Sequence, residues 1–439
     1  MTLKNFQLYC ETLPGSAADF PFDETALVYK LQGKMFALTG FHDFSYISLK
    51  CDPDYAAALR EAYPAVTGGY HLNKRHWISV QLDGSLSNDF IFNLLLNSYY
   101  LVRAGLPARL RKELGPQPEP RLDLSAAHLA ARRFIEAECE PLYTALFDFH
   151  FGSGSPEAVI GALSAYQNSD GGFGHGLEPD FLLPTSSPMA TSIAFQLFAE
   201  LGVDGRAAPE IAAAIGYLEA HFDPARSGWY AVGPEVNRSP HAPWWHWDEA
   251  EGQTVIDRHW GNPSAELIAH LWRFQTPLQP PQASHKFSST YVRTLIRNAA
   301  DRLAAMSEFP SPHEIYCYLR LYHNIRSSLP DTAAHMQPQL AAAIRSLMST
   351  EPDQWSGYVP RPLDFIDTPA SPLFEVVQPY VELQCRYLLD TLREGVWRPH
   401  WSWGTAYPEA WQRSRSNWTA RLTINNYRLL QRFGYLPSC

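Results

Sequence analysis

The sequence predicts two domains, a small α+β module followed by a larger all-helical ring of hairpins, and three observations predict it. At 439 residues the chain is too long for one ordinary core, and a 46% hydrophobic share is normal for a protein that buries one. The run Gly115-Pro116-Gln117-Pro118-Glu119-Pro120 can neither continue a helix nor sit in a central strand. Before that run helix and strand patterns alternate, and after it only helical patterns recur. The expected organisation is a domain over residues 1–114, a Pro-rich linker over 115–124 and a second domain over 125–439.

In the first domain, Leu3 to Leu13 reads as a helix stopped by Pro14-Gly15. Ala26 to Leu31 and Met35 to Leu38 flank Gln32-Gly33-Lys34, the pattern of a hairpin. Tyr46 to Lys50 makes a third strand, Pro53 to Tyr63 a second helix, and Arg75 to Leu82 a fourth strand ending at the turn Asp83-Gly84. A third helix, Asp89 to Val102, places apolar residues 91, 95, 99 and 102 on one face. A sheet with helices on one side is the expected result.

The second domain repeats a helix-start signal. Ser155-Pro156, Ser187-Pro188, Asn262-Pro263 and Ser311-Pro312 each put a capping side chain before a proline suited to the first helical turn. Glu314, three residues after Ser311, predicts a capping box. The helix after Ser187 is apolar on more than one face and is expected to be buried on two sides.

Charge and cysteine usage narrow the function classes. Residues 1–115 hold 11 of the 35 Lys/Arg and 11 of the 45 Asp/Glu, so the net −10 falls wholly on the remainder. An acidic second domain argues against a nucleic-acid groove there, since phosphate binding needs clustered positive charge. The six cysteines are scattered without CxxC, which argues against a disulfide framework. The N-terminus lacks a signal-peptide plan and no apolar run is long enough to span a bilayer, so a cytoplasmic protein is expected.

The first domain resembles the MmcQ/YjbR family of small bacterial proteins. The residues that carry this are Leu13-Pro14-Gly15, Gly33-Lys34-Met35-Phe36-Ala37, Leu49-Lys50-Cys51-Asp52-Pro53, Gly69-Tyr70-His71-Leu72-Asn73-Lys74-Arg75-His76-Trp77 and Leu82-Asp83-Gly84-Ser85. The resemblance implies a CyaY-like, double-wing α+β fold and a DNA-binding role. Lys50, Lys74, Arg75 and His76 are the expected phosphate contacts, with Trp77 stacking on a base. The domain's zero net charge favours the plainer account of a hairpin end exposing basic residues.

Gln167-Asn168-Ser169-Asp170-Gly171-Gly172-Phe173-Gly174 resembles the repeat of terpenoid cyclases and protein prenyltransferases, with weaker echoes at Asp223 to Trp229, Asp353 to Tyr358 and Glu394 to Trp397. This resemblance implies an α/α toroid around an apolar cavity, in which the repeat's polar side chain ties a helix end and its aromatic packs between hairpins. The chain has neither the Asp-x-Asp-Asp acid run of the cyclases nor the Asp-x-Cys zinc pair of the prenyltransferases. The resemblance therefore implies a shape without either chemistry.

The candidate chemistry lies on the loop after Gln167. Glu178 and Asp180 bracket Pro179, and paired carboxyls in an apolar cavity can split their pKa values and serve as acid and base. Asp170 is the third candidate acid, and His175, further along the loop, is a candidate substrate-binding residue. The alternative is a solvated loop whose acids cap the next helix. Trp244, Trp245 and Trp247, then Asp257, His259, Trp260 and Glu266, then Trp401 and Trp403, are candidate walls for an apolar or aromatic small molecule. Ordinary packing between hairpins explains the same aromatics. His246, Asp257 and His259 lack a diagnostic metal spacing, so no metal or other cofactor is expected.

Overall fold

The computed structural model describes all residues except 70, 87, 116–123, 204–208, 276–286, 434 and 436–439. The prolines of the expected linker, together with Tyr70 and Cys439, thus lie outside the described residues. The chain divides into two compact units, Met1–Leu129 and Ala130–Cys439.

The first unit runs α1 (Leu3–Thr12), β1 (Ser16–Asp19), β2 (Ala26–Leu31), β3 (Lys34–Gly40), β4 (Tyr46–Lys50), α2 (Pro53–Ala62), β5 (Val66–Gly68), β6 (Trp77–Gln81), α3 (Asn88–Ala104) and α4 (Ala108–Glu113). Its strands form one six-stranded sheet in the order β1-β2-β3-β4-β6-β5, antiparallel at every pairing. The β2–β3 turn forms as expected, with positive φ at both Gln32 and Gly33. Leu27, Tyr29, Leu31, Phe36, Ile47, Leu49, Ile78 and Val80 share the core with α1 and α3. There Phe6 meets Tyr29 edge-on at 5.5 Å and Phe36 meets Tyr99 at 5.6 Å. The predicted apolar face of α3, Ile91, Leu95, Tyr99 and Val102, is buried throughout.

Strands β1 and β5 were not legible in the sequence. Ser16-Ala17-Ala18-Asp19 carries no branched or aromatic side chain, and it is extended because it pairs residue by residue with β2. The three residues of β5 are likewise held by β6.

The second unit is mostly helical. Its helices are α5 (Leu124–Glu138, which begins in the first unit), α6 (Pro141–Phe151), α7 (Pro156–Leu163), α8 (Pro188–Glu200), α9 (Pro209–Ala220), α10 (Gly261–Gln275), α11 (Ser289–Ala304), α12 (Pro312–Ile325), α13 (Pro330–Leu347), α14 (Pro362–Phe365), α15 (Phe374–Val377), α16 (Val381–Thr391) and α17 (Pro408–Arg432). Helix α8 is buried on several sides, as its wide apolar stripe requires. Helix α10 packs on α8, α11 and α12, and α17, the last helix, packs on α6.

Three of the four start signals work as predicted. Ser155, Ser187 and Ser311 accept the backbone N–H of Ala158, Ala190 and Glu314 at 3.3, 3.1 and 3.4 Å. At the fourth, α10 begins at Gly261 and Asn262 is non-helical before a cis Pro263. The capping box at Ser311 is incomplete, because the Glu314 carboxylate accepts the Gly261 N–H at 2.7 Å instead. A buried N–H on a neighbouring helix needs that acceptor more than the first turn of α12 does.

A joint between hairpins recurs in this unit. The backbone N–H of Phe173, Trp229 and Trp397 donates to the hydroxyl of Thr191, Ser264 and Thr423 on a later helix, at 3.1, 3.0 and 3.1 Å. The indole N–H of Trp229 and Trp397 returns to the carbonyl of Leu218 and Leu388 at the end of the helix before. Gln167 supplies the polar tie of the first joint, its amide donating to the carbonyls of Gly171 and Glu210 at 2.9 Å each. Gly171 is required here, because its φ is +87° and a Cβ would collide with the Ala213 carbonyl.

Candidate functional site

Glu178 and Asp180 are buried, 6% and 5% exposed, which removes the solvated-loop alternative. Their segment is held by main-chain pairing. The Ala242 N–H donates to the Asp180 carbonyl and the Leu182 N–H to the Pro240 carbonyl, both at 2.8 Å. Glu178 to Phe181 is a turn and not an extended stretch, since the Phe181 N–H donates to the Glu178 carbonyl at 3.3 Å, and the turn sends successive side chains different ways. Phe181 accordingly packs edge-on against Trp245 at 5.0 Å, while Asp180 turns to Trp403.

Around Asp180 the chain gathers tryptophans from its far end. Trp403 Nε1 donates to Asp180 Oδ1 at 2.8 Å. The indoles of Trp401 and Trp418 and the hydroxyl of Ser414 stand close enough to favour the charged carboxylate. None of these three groups makes a well-formed hydrogen bond, so two indole N–H groups and a hydroxyl are buried unpaired beside a carboxylate. The rings form two groups: Trp401 lies 5.1 Å from Trp418 and 5.5 Å from the exposed Tyr358, and Trp403 lies 5.7 Å from Trp411.

Burial lifts both carboxyls above the ordinary carboxylate range, and for Glu178 the charge of Asp180 adds to it. The two titrate as a pair. Asp180 has the Trp403 indole donor to support a charge, whereas Glu178 accepts from the Asp180 backbone N–H at 3.2 Å and feels Arg421 only through space. Of the two, Glu178 is therefore pushed further toward its protonated form, while Asp180 has more support for its charge. Two carboxyls in unlike surroundings stand two residues apart.

Helix α17 explains how the site is assembled. Trp411, Ser414, Trp418, Arg421, Asn425, Arg428 and Arg432 recur at intervals of three and four, which places them on one helical face. The first part of this stripe serves the carboxyl pair. The second part lines a cavity of about 560 Å³ with residues of α8, α10, α12 and α14, among them Glu200, His270, Arg320 and Asp364, and with Asp367 just beyond α14. The lining is mixed: Tyr316, Leu319, Leu363, Phe365 and Leu429 stand among its many charged and amide side chains.

Within it, Glu200 accepts from His150 Nε2 and Arg428 Nη1 at 2.6 Å each, and Arg421 approaches the same carboxylate at 3.8 Å. Burial opposes the charge on Glu200, but His150, Arg421 and Arg428 outweigh it and hold its pKa down at about 2. Glu266 sits behind the lining and accepts from Arg320 at 3.1 Å, Cys317 at 3.4 Å and His270 at 3.3 Å. Burial keeps His270 below its ordinary value and hence neutral.

The remaining sequence candidates serve other purposes. Asp170 is exposed and ties its loop, accepting from Gly172 N–H and Ser186 Oγ at 3.0 and 2.7 Å. His175 is exposed and bonded to Asn168. Asp257 is buried with both oxygens engaged by Ala231 and Thr254, and His246 faces His241 at 3.1 Å. His259 lies 3.8 Å from Glu314, and Trp260 donates to the Arg226 carbonyl. Trp247 packs against Tyr230, and Trp244 is half-buried. Among the described residues no cluster of His, Cys, Asp and Glu could hold a metal ion. Sequence reasoning missed Trp418, Ser414, Arg421, Glu200 and His270; the stripe on α17 was the available signal for the first three.

In the first unit, Lys74, Arg75 and His76 are exposed on the turn before β6, and Lys50 ends β4. Trp77 is only 9% exposed in the sheet, which corrects its expected role as a stacking platform. The YjbR family model matches residues 11–101. The uncharacterized protein YjbR of Escherichia coli strain K12 is 35% identical over 115 residues, which is 26% of this chain and 98% of that protein. The chain belongs to the YjbR family. YjbR relatives also include the uncharacterized protein YbdF of Escherichia coli O157:H7, 35% identical over 105 residues, 24% of this chain and 86% of that protein. A crystal structure of Deinococcus radiodurans protein DR2400 is 40% identical, covering 27% of this chain and 91% of that one, with a TM-score of 0.26. The YjbR match ends at residue 101, so the carboxyl pair and the charged cavity lie outside it. No helix among the described residues is long and apolar enough to cross a membrane.

Proposed function

We propose that the helical domain is an acid/base enzyme acting on a small molecule bound along α17, with Glu178 as proton donor and Asp180 as proton acceptor. The observation that carries this is the pair itself: two buried carboxyls in unlike surroundings, one bonded by the Trp403 indole and the other meeting only a backbone N–H. Burying such a pair costs stability, and a cost of that kind is usually retained at a working site. The unpaired N–H groups of Trp401 and Trp418 are then donors to a substrate oxygen. The charged and amide groups in the mixed lining of the cavity favour a substrate that carries polar groups beside any apolar part.

The test is to incubate the purified chain with a small-molecule extract of bacterial cells and follow consumption by mass spectrometry. Wild type is expected to deplete a species that folded Glu178→Gln and Asp180→Asn leave untouched. Equal depletion by all three proteins would remove the pair from the chemistry.

A second reading concerns the YjbR-family domain. Exposed Lys74, Arg75 and His76 on one turn favour contact with DNA phosphates. Such binding weakens steeply with salt and falls further in a Lys74→Ala/Arg75→Ala variant. No retardation of duplex or single-stranded DNA at low salt would end this reading.

A further inference from the structure

Arg421 stands out among the cations of the cavity. Arg320 is paired with Glu266, Arg428 with Glu200, Arg432 with Asp367, and Asp364 with Arg361. Arg421 reaches only Glu200, at 3.8 Å, and that carboxylate is already engaged by His150 and Arg428. Its side chain is 19% exposed, and among the described residues its guanidinium makes no hydrogen bond. A largely buried guanidinium with its donors unused is costly, because those donors have left water without a replacement. Two arginines sharing one carboxylate also leave the spot with excess positive charge.

A second group in the cavity is short of a partner as well. His270 is 2% exposed, its Nε2 faces Glu266, and its Nδ1 is buried with no hydrogen bond. With the ring neutral and Nε2–H directed at Glu266, Nδ1 offers a lone pair. A ligand that satisfies both residues carries an anionic group for Arg421 and a hydroxyl for His270 Nδ1.

We infer that the cavity binds a small hydroxylated anion, a carboxylate or a phosphate ester, with Arg421 gripping the anionic group. Arg421 lies one turn along α17 from Trp418, and its charge is felt at Glu178, so an anion held there sits close to the carboxyl pair. This names the substrate class for the proposed function and rests on that reading of the site. The binding claim is nevertheless measured without turnover, so the two fail separately.

The experiment is isothermal titration of the full chain with malate, glycerol 3-phosphate and glycerol, at matched ionic strength with chloride as the control salt. One of the two anions is expected to bind, and which one distinguishes carboxylate from phosphate chemistry; glycerol is not expected to bind. Arg421→Gln should weaken that anion at least tenfold. Arg421→Lys keeps the charge beside Glu200 and loses the two-pronged geometry, so it should restore only part of the affinity. If the glutamine variant fails to fold, the lysine variant decides. Binding of neither anion, or affinity unchanged in the folded variants, would overturn the inference.

Discussion

Trp403 donates its indole N–H to Asp180 at 2.8 Å across 223 residues of chain. This bond ties the loop after the glycine-rich motif to the segment leading into α17, and it sets the charge on the carboxyl pair. Replacing Trp403 by Phe keeps an aromatic ring and removes the donor. The charged form of Asp180 then loses support and its pKa rises further. Stability at neutral pH is expected to fall by about 1.5–3 kcal/mol, the usual worth of a hydrogen bond to a charged group. Denaturant midpoints of wild type and variant check this.

The carboxyl pair makes stability depend on pH in a defined direction. A folded-state pKa raised above the unfolded value favours folding fully below the unfolded pKa, and that advantage is lost as pH rises through the folded value. Stability should therefore decline from acid toward neutral and mildly alkaline pH. Glu178→Gln should flatten the decline, gaining about 1.4 kcal/mol over wild type at pH 9 for each unit of pKa elevation removed. Urea unfolding at pH 5, 7 and 9 gives the comparison; a slope equal to wild type would show that Glu178 is not the group responsible.

Glu200 acts in the opposite sense. Its pKa is depressed from 4.5 to about 2, so its contribution is full above the unfolded value and disappears as pH falls toward 2. Glu200→Gln leaves Arg421 and Arg428 without their carboxylate and is expected to cost about 3–5 kcal/mol at pH 7. The difference from wild type should shrink below pH 4, read as converging thermal midpoints.

Glu314 supports a neighbouring helix instead of its own. Glu314→Ala strips the acceptor from the buried Gly261 N–H and should cost about 1–3 kcal/mol. Ser311→Ala, which removes only the cap, should cost about 1 kcal/mol. Equal losses in the two variants, measured by urea unfolding, would restore the capping box as the better account.

Much of the secondary structure was legible because its signals are local. The hairpin around Gln32-Gly33, the apolar face of α3 and the Ser-Pro helix starts depend on residues a few positions apart. What could not be read there was pairing: β1 and the three-residue β5 are strands only because β2 and β6 lie beside them. The candidate site divides in the same way.

By itself the sequence determined that Glu178 and Asp180 stand on either side of Pro179, on a loop shaped by glycines, with Trp401 and Trp403 elsewhere in the chain. It also determined the membership of the first domain in the YjbR family. Only the tertiary structure decided that those carboxyls are buried and that Trp403 reaches Asp180. It alone showed that the polar half of the α17 stripe faces a cavity with His270 and Glu200. The reason is physical: burial and long-range hydrogen bonds belong to the packed chain, and no local pattern encodes which distant side chain will remove the water from a carboxylate.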